Sequence, residues 1–151
     1  MPLRKRTRAR EAALQVLYQL DLRGAEVLEQ IEPILDRLLD GGGADPGIRQ
    51  FTRELVLGCW GHRDELDARI AAVAENWDIR RMAVIDRNVL RLATYELLFV
   101  ADVPAKVAIN EAIDLAKRYS TGDSGAFVNG ILDRIRMEAG GSSPESSSPI
   151  S

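Results

Sequence analysis

Apolar residues recur at three- and four-residue spacing along almost the whole chain. No stretch of useful length alternates with the period of two that a half-buried strand needs. That pattern restricts the chain to an all-α fold. The first stripe is Ala9, Ala12, Ala13, Val16, Leu17 and Leu20, with Thr7 as a plausible cap before it and Gly24 as a stop after it. A second stripe runs through Val27, Leu28, Ile31, Ile34, Leu35 and Leu38. Pro33 either kinks it or begins a helix after a short turn. The glycines at 41–43, followed by Ala44, Asp45, Pro46 and Gly47, read as a loop.

A third stripe starts near Ile48, passes Phe51, Leu55, Val56 and Cys59, and continues through Leu66, Ile70 and Val73 towards Trp77. Gly58 and Gly61 either allow close contact inside one long helix or separate two helices. From Met82 to about Val100 the apolar face is wide, as for a central buried helix. Pro104 is placed to open the next helix, which carries Val107, Ile109, Ile113, Leu115, Ala116 and Tyr119. A loop over 120–125 offers Asp123 or Ser124 as the cap of a last helix with Phe127, Val128, Ile131, Leu132 and Ile135. From about residue 140 the chain is Gly, Ser and Pro with almost nothing apolar, which reads as a disordered tail over 140–151.

Composition narrows the function. A chain of 151 residues, 46% hydrophobic and 28% charged, has an ordinary globular composition and needs no covalent staple. Cys59 is the only cysteine and His62 the only histidine, so neither an internal disulfide nor a zinc site of the usual type is expected. No leader-like or membrane-spanning run stands out, and the expected setting is the cytoplasm. No convergent acid, base and nucleophile appears, so catalysis and cofactors are not expected. Glu96 falls among apolar positions and reads as part of a structural network, Cys59 as core, and Trp60 and Trp77 as core anchors.

The net charge of -3 is unevenly spread. Arg4, Lys5, Arg6, Arg8 and Arg10 crowd the first ten residues, where there is no acid, leaving 15 basic residues against 23 acidic ones. Cations at the start of a helix oppose its dipole by roughly 0.3–1 kcal/mol each. A local rule broken so densely points to a compensating polyanion, against the plainer reading of a solvated terminus. Arg4, Arg8, Glu11, Gln15, Tyr18 and Gln19 share the polar side of this helix. The mixture of charge, amide and ring suits single-stranded RNA, and equally an ordinary wet surface.

Four segments then resemble one family in order and spacing. They are Arg8–Glu11 leading into Ala12–Tyr18, Val89–Leu97, Asp102–Ile113 and Phe127–Asp133. Together they resemble NusB, the bacterial antitermination family, over residues 4 to 137. The resemblance implies a seven-helix bundle over 1–139 in two lobes, about 1–78 and 79–139. It implies no enzymatic activity. It implies binding of the boxA element of nascent ribosomal RNA together with NusE, a small-subunit ribosomal protein, in a complex with other Nus factors and RNA polymerase.

Carried over by position, Arg4, Lys5, Arg6, Arg8 and Arg10 match the RNA-contacting start, and Gln15, from the polar side of the same helix, is expected to join them. Asp123 and Phe127 match the RNA face, and Tyr18 and Asp86 match positions tied to the partner protein. The register of Phe127 with Ile131 also allows a core role. Ala126 departs from the pattern, because many relatives carry a basic residue there. The alternative is a NusB-like helical domain that contacts proteins only. Such domains also precede some ribosomal RNA methyltransferase domains, and none is expected here. Oligomeric state stays open between monomer and homodimer.

Overall fold

The computed structural model describes residues 3–39, 45–75 and 77–141, although the side chains of Leu3, Arg4, Gly140 and Gly141 are not described. Among these residues there are seven α-helices and no strand. They are α1 (Leu3–Arg23), α2 (Ile31–Leu38), α3 (Pro46–Gly61), α4 (Arg63–Val73), α5 (Val84–Phe99), α6 (Ala105–Tyr119) and α7 (Ser124–Gly141). The chain divides into two compact units between His62 and Arg63, earlier than the boundary near residue 78 expected from the sequence. The reason is α4, which buries Leu66, Ile70 and Val73 and packs on α5 and α7.

In the first unit α1 lies chiefly against α3. Its stripe of Ala9, Ala12, Ala13, Val16, Leu17 and Leu20 is buried, and so are Phe51, Leu55, Val56 and Cys59 of α3. Small residues at 9, 12 and 13 let the two backbones approach. Helix α1 starts at Leu3, so Thr7 lies inside it and does not cap it. Arg and Lys are good helix formers, and their long stems find apolar surface to cover. Gly24 ends the helix at φ 93°, a conformation that favours glycine.

A 3-10 turn (Ala25–Gln30) leads directly into α2. Pro33 thus stands in the first turn of α2, where its missing N–H costs no intrahelical bond. Asp45 caps α3, its carboxylate accepting from Gly47 N at 2.6 Å, with Pro46 as the first helical residue. Gly61 closes α3, and the His62 N–H returns to the Gly58 carbonyl at 3.0 Å. The third stripe is therefore two helices. A Cβ at Gly61 would meet nothing within 4 Å, so close packing is not its purpose.

Arginines of α3 clamp α2 from outside. Arg49 reaches Glu32 at 2.6 Å and Asp36 at 2.8 Å, and Arg53 reaches Glu32 at 2.9 Å. Hydrogen bonds from Arg53 and Arg49 hold the Glu32 carboxyl at about 2, below its ordinary 4.5. The folded carboxyl ionises more readily than the unfolded one. The network's contribution is therefore complete above about pH 4.5 and is lost as pH falls towards 2. Glu32→Gln should flatten this acid limb when unfolding is followed by circular dichroism against pH. The effect is small because Glu32 is exposed.

In the second unit α5 is central, contacting α4, α6 and α7. Val89, Leu90, Leu92 and Ala93 are buried, as are Ala108, Ile109, Ala112, Leu115 and Ala116 of α6 and Val128, Ile131, Leu132 and Ile135 of α7. Arg91 and Asp67 join α5 to α4 through two bonds of 2.7 and 2.8 Å. Glu96 is buried and is not without a partner. Pro104 precedes α6 rather than opening it, in extended conformation at φ −60° and ψ 143°. At Gly125 a Cβ would meet the Lys117 side chain at 3.2 Å, so glycine allows α7 its approach to α6. Helix α7 runs on to Gly141, past the point where the tail was expected. Residues 142–151, and the loop glycines at 41–43, lie outside the described residues.

Candidate nucleic-acid interface

The basic residues at the start of the chain occupy the first two turns of α1, which contain no acid. Arg4 is in that helix, and its side chain lies outside the described residues. Lys5 forms an ion pair with Asp45, the cap of α3, and both remain partly exposed. A hydrogen bond from Lys5 and one from the Gly47 backbone hold the Asp45 carboxyl below its ordinary value. Arg6 is half-buried, its guanidinium 4.6 Å from the centre of the Phe51 ring. Arg8 is half-buried as well.

Arg10 is different. It is 1% exposed and lies 5.7 Å from the centre of the same ring. Its register explains this, since it stands three, four and seven residues before Ala13, Leu14 and Leu17, all buried. A phosphate could not reach Arg10 without displacing what covers it. Gln15 and Tyr18 are on the outer side of α1, and Leu22, one turn further, is 58% exposed. Phe51 thus serves as a platform for two arginines, and Asp45 as the counter-ion of Lys5. Neither role was apparent in the sequence, although Asp45-Pro46 is a recognisable helix start.

The second unit holds a cleft of about 350 Å³ lined by Trp77, Arg81, Met82, Asp86, Asp123 and Phe127 among others. Three of the expected site residues, Asp86, Asp123 and Phe127, therefore line one cleft. Asp123 is exposed and stands just before α7, its carbonyl accepting from Phe127 N at 3.0 Å. Asp86, in the first turn of α5, accepts from the Ser124 hydroxyl at 3.2 Å. Phe127 is half-buried, so it is neither wholly core nor wholly surface. Its ring meets Trp77 edge-on at 5.0 Å. Trp77 is 59% exposed, which overturns its reading as a core anchor. It follows the end of α4, outside the helical register that would have buried it.

The helices and their register follow a known pattern. The model of the NusB family matches residues 7–137. The chain belongs to the NusB family. This is a family of transcription antitermination factors and not of enzymes. The NusB protein of Myxococcus xanthus is 46% identical over 132 residues, 87% of this chain and 94% of that protein. The NusB protein of Geobacter sulfurreducens is 48% identical over 126 residues, 83% and 89% of the two chains.

Among solved structures, NusB of T. maritima superposes with a TM-score of 0.80 at 46% identity, covering 91% of this chain and 92% of that one. NusB in a complex of the antitermination factors NusB and NusE with double-stranded RNA superposes with a TM-score of 0.80. It is 29% identical, and the match covers 91% of this chain and 99% of that one. Among the described residues no helix is long and apolar enough to cross a membrane, and no group of three or more His, Cys, Asp or Glu could hold a metal ion.

Proposed function

We propose that this chain is a cytoplasmic antitermination factor that binds the boxA element of nascent ribosomal RNA together with NusE. In that complex, with other Nus factors, it helps RNA polymerase pass terminators. The observation that carries the reading is the cation-rich start of α1. Lys5, Arg6 and Arg8 retain solvent exposure at a helix end that repels them, and the phosphates of a transcript would offset that repulsion. Arg4 belongs to the same set. Arg10 supports the surface from below rather than touching RNA. Gln15 extends the RNA surface along α1, and Asp123 and Phe127 supply a second one. Tyr18, beside exposed Leu22, gives the partner protein an apolar patch on α1, and Asp86 is a separate partner contact in the second unit.

A titration of single-stranded boxA RNA at several salt concentrations tests this. The four cations Arg4, Lys5, Arg6 and Arg8 give a log–log slope of about -2.8, at roughly 0.7 per phosphate, whereas a fifth contact from Arg10 would bring it to about -3.5. Sedimentation of the same mixtures reports whether one copy or two binds. No RNA binding at low salt, with or without NusE, would sink the reading.

A second reading, a helical domain contacting proteins only, gains from the docking of Lys5, Arg6 and Arg10 on α3. Asp45→Asn separates the two. Asparagine keeps the cap on α3 and releases Lys5. On the RNA reading, affinity for boxA RNA measured by fluorescence anisotropy rises about two- to fivefold, the usual worth of an exposed ion pair. On the protein-only reading it does not change.

A further inference from the structure

The cleft of the second unit has more chemistry than its expected residues use. Trp77 presents an indole that is mostly in water, and Phe127 braces it edge-on at 5.0 Å. An exposed tryptophan costs apolar hydration and is not kept in place by packing alone. Two arginines follow it. Arg80 is tied to Asp78 at 3.1 Å, whereas the exposed guanidinium of Arg81, on the wall of the cleft, takes no ion pair among the described residues. Asp86 and Asp123 also line the cleft, and their carboxylates repel any phosphate placed inside it. What fits is a flat, neutral, polar-edged ring against the indole, with its anion held outside at Arg81. That is a nucleotide with its base turned inward. An apolar peptide side chain would match the rings and leave Arg81 and Thr121 unused.

We propose that Trp77 stacks an unpaired base of the bound RNA in this cleft, and that Arg81 holds the adjoining phosphate. The inference rests on the RNA-binding reading and adds a contact that is not ionic, in a different unit from the cations of α1. Stacking on aromatic rings tolerates any base, so this contact sets affinity more than sequence preference.

The test uses the full chain, in which Trp60 and Trp77 are the only tryptophans. In a Trp60→Phe background, checked for fold by circular dichroism and excited selectively at the indole band, Trp77 is the sole tryptophan emitter. Single-stranded boxA RNA should quench it, saturating at the concentration at which anisotropy of labelled RNA saturates. An abasic ribose-phosphate strand of equal length should leave the emission unchanged.

Trp77→Ala should weaken binding roughly ten- to a hundredfold while leaving the salt slope as it was, because stacking releases no counter-ions. Trp77→Phe keeps a ring and should stay within about threefold of wild type. Arg81→Gln should make the slope shallower by about 0.7. RNA that binds without quenching Trp77, or that binds Trp77→Ala as tightly as wild type, overturns this inference and leaves the RNA reading standing. Absence of RNA binding at low salt overturns both.

Discussion

Replacing Lys5, Arg6 and Arg8 together with alanine should lower affinity for boxA RNA by on the order of a hundred- to a thousandfold at low salt, as expected for three lost charge-assisted contacts. Anisotropy of labelled RNA measures the loss, and the salt slope should flatten by about 2. Stability should move little, because two effects oppose. Alanine is the best helix former, and three cations leave a helix end that repels them. Against this, Arg6 no longer covers the Phe51 ring and Lys5 no longer meets Asp45. A large loss of binding with little change in melting is the signature of cations kept for a ligand. The reverse pattern would make them structural.

Arg10→Ala should show that reverse pattern. The residue is 1% exposed above the Phe51 ring, among the core side chains of α1. Truncating it opens a void in the core beside the Phe51 ring, at a cost of about 2–4 kcal/mol. For a chain of this size that lowers the melting temperature by about 5–15 °C. The salt slope of RNA binding, measured well below the melting range, should be unchanged. One arginine two residues beyond Arg8 thus differs from it in kind. A slope shallower by about 0.7 in this variant would show that Arg10 reaches a phosphate after all.

The contrast shows what the sequence makes legible. Helix content, the apolar stripes and the stop at Gly24 follow from spacing and backbone chemistry within one segment, and the structure agrees with them. The charge cluster is equally plain. How its members are used depends on contacts across about forty residues of chain, as between Lys5 and Asp45 or Arg6 and Phe51. The start of α1 at Leu3 rather than near Thr7 has the same origin, since α3 supplies the surface that the arginine stems cover. Burial of Arg10 could have been inferred from its register with Leu14 and Leu17, but the charge class of the residue outweighed its position. Trp77 went the other way. Its size and its spacing from Ile70 and Val73 suggest core, but α4 ends at Val73, so the helical register lapses before Trp77 and leaves it in solvent.

The proposed function requires a transcript lying over the opening turns of α1. Crosslinking with 4-thiouridine-substituted boxA RNA, mapped by mass spectrometry on the intact chain with NusE present, reads this directly. Crosslinks are expected in the peptide bearing Lys5, Arg6 and Arg8, with further ones at Trp77 or Phe127. If they fell instead on the exposed side of α6 and left the start of α1 unmarked, the assignment of those cations to RNA would be wrong.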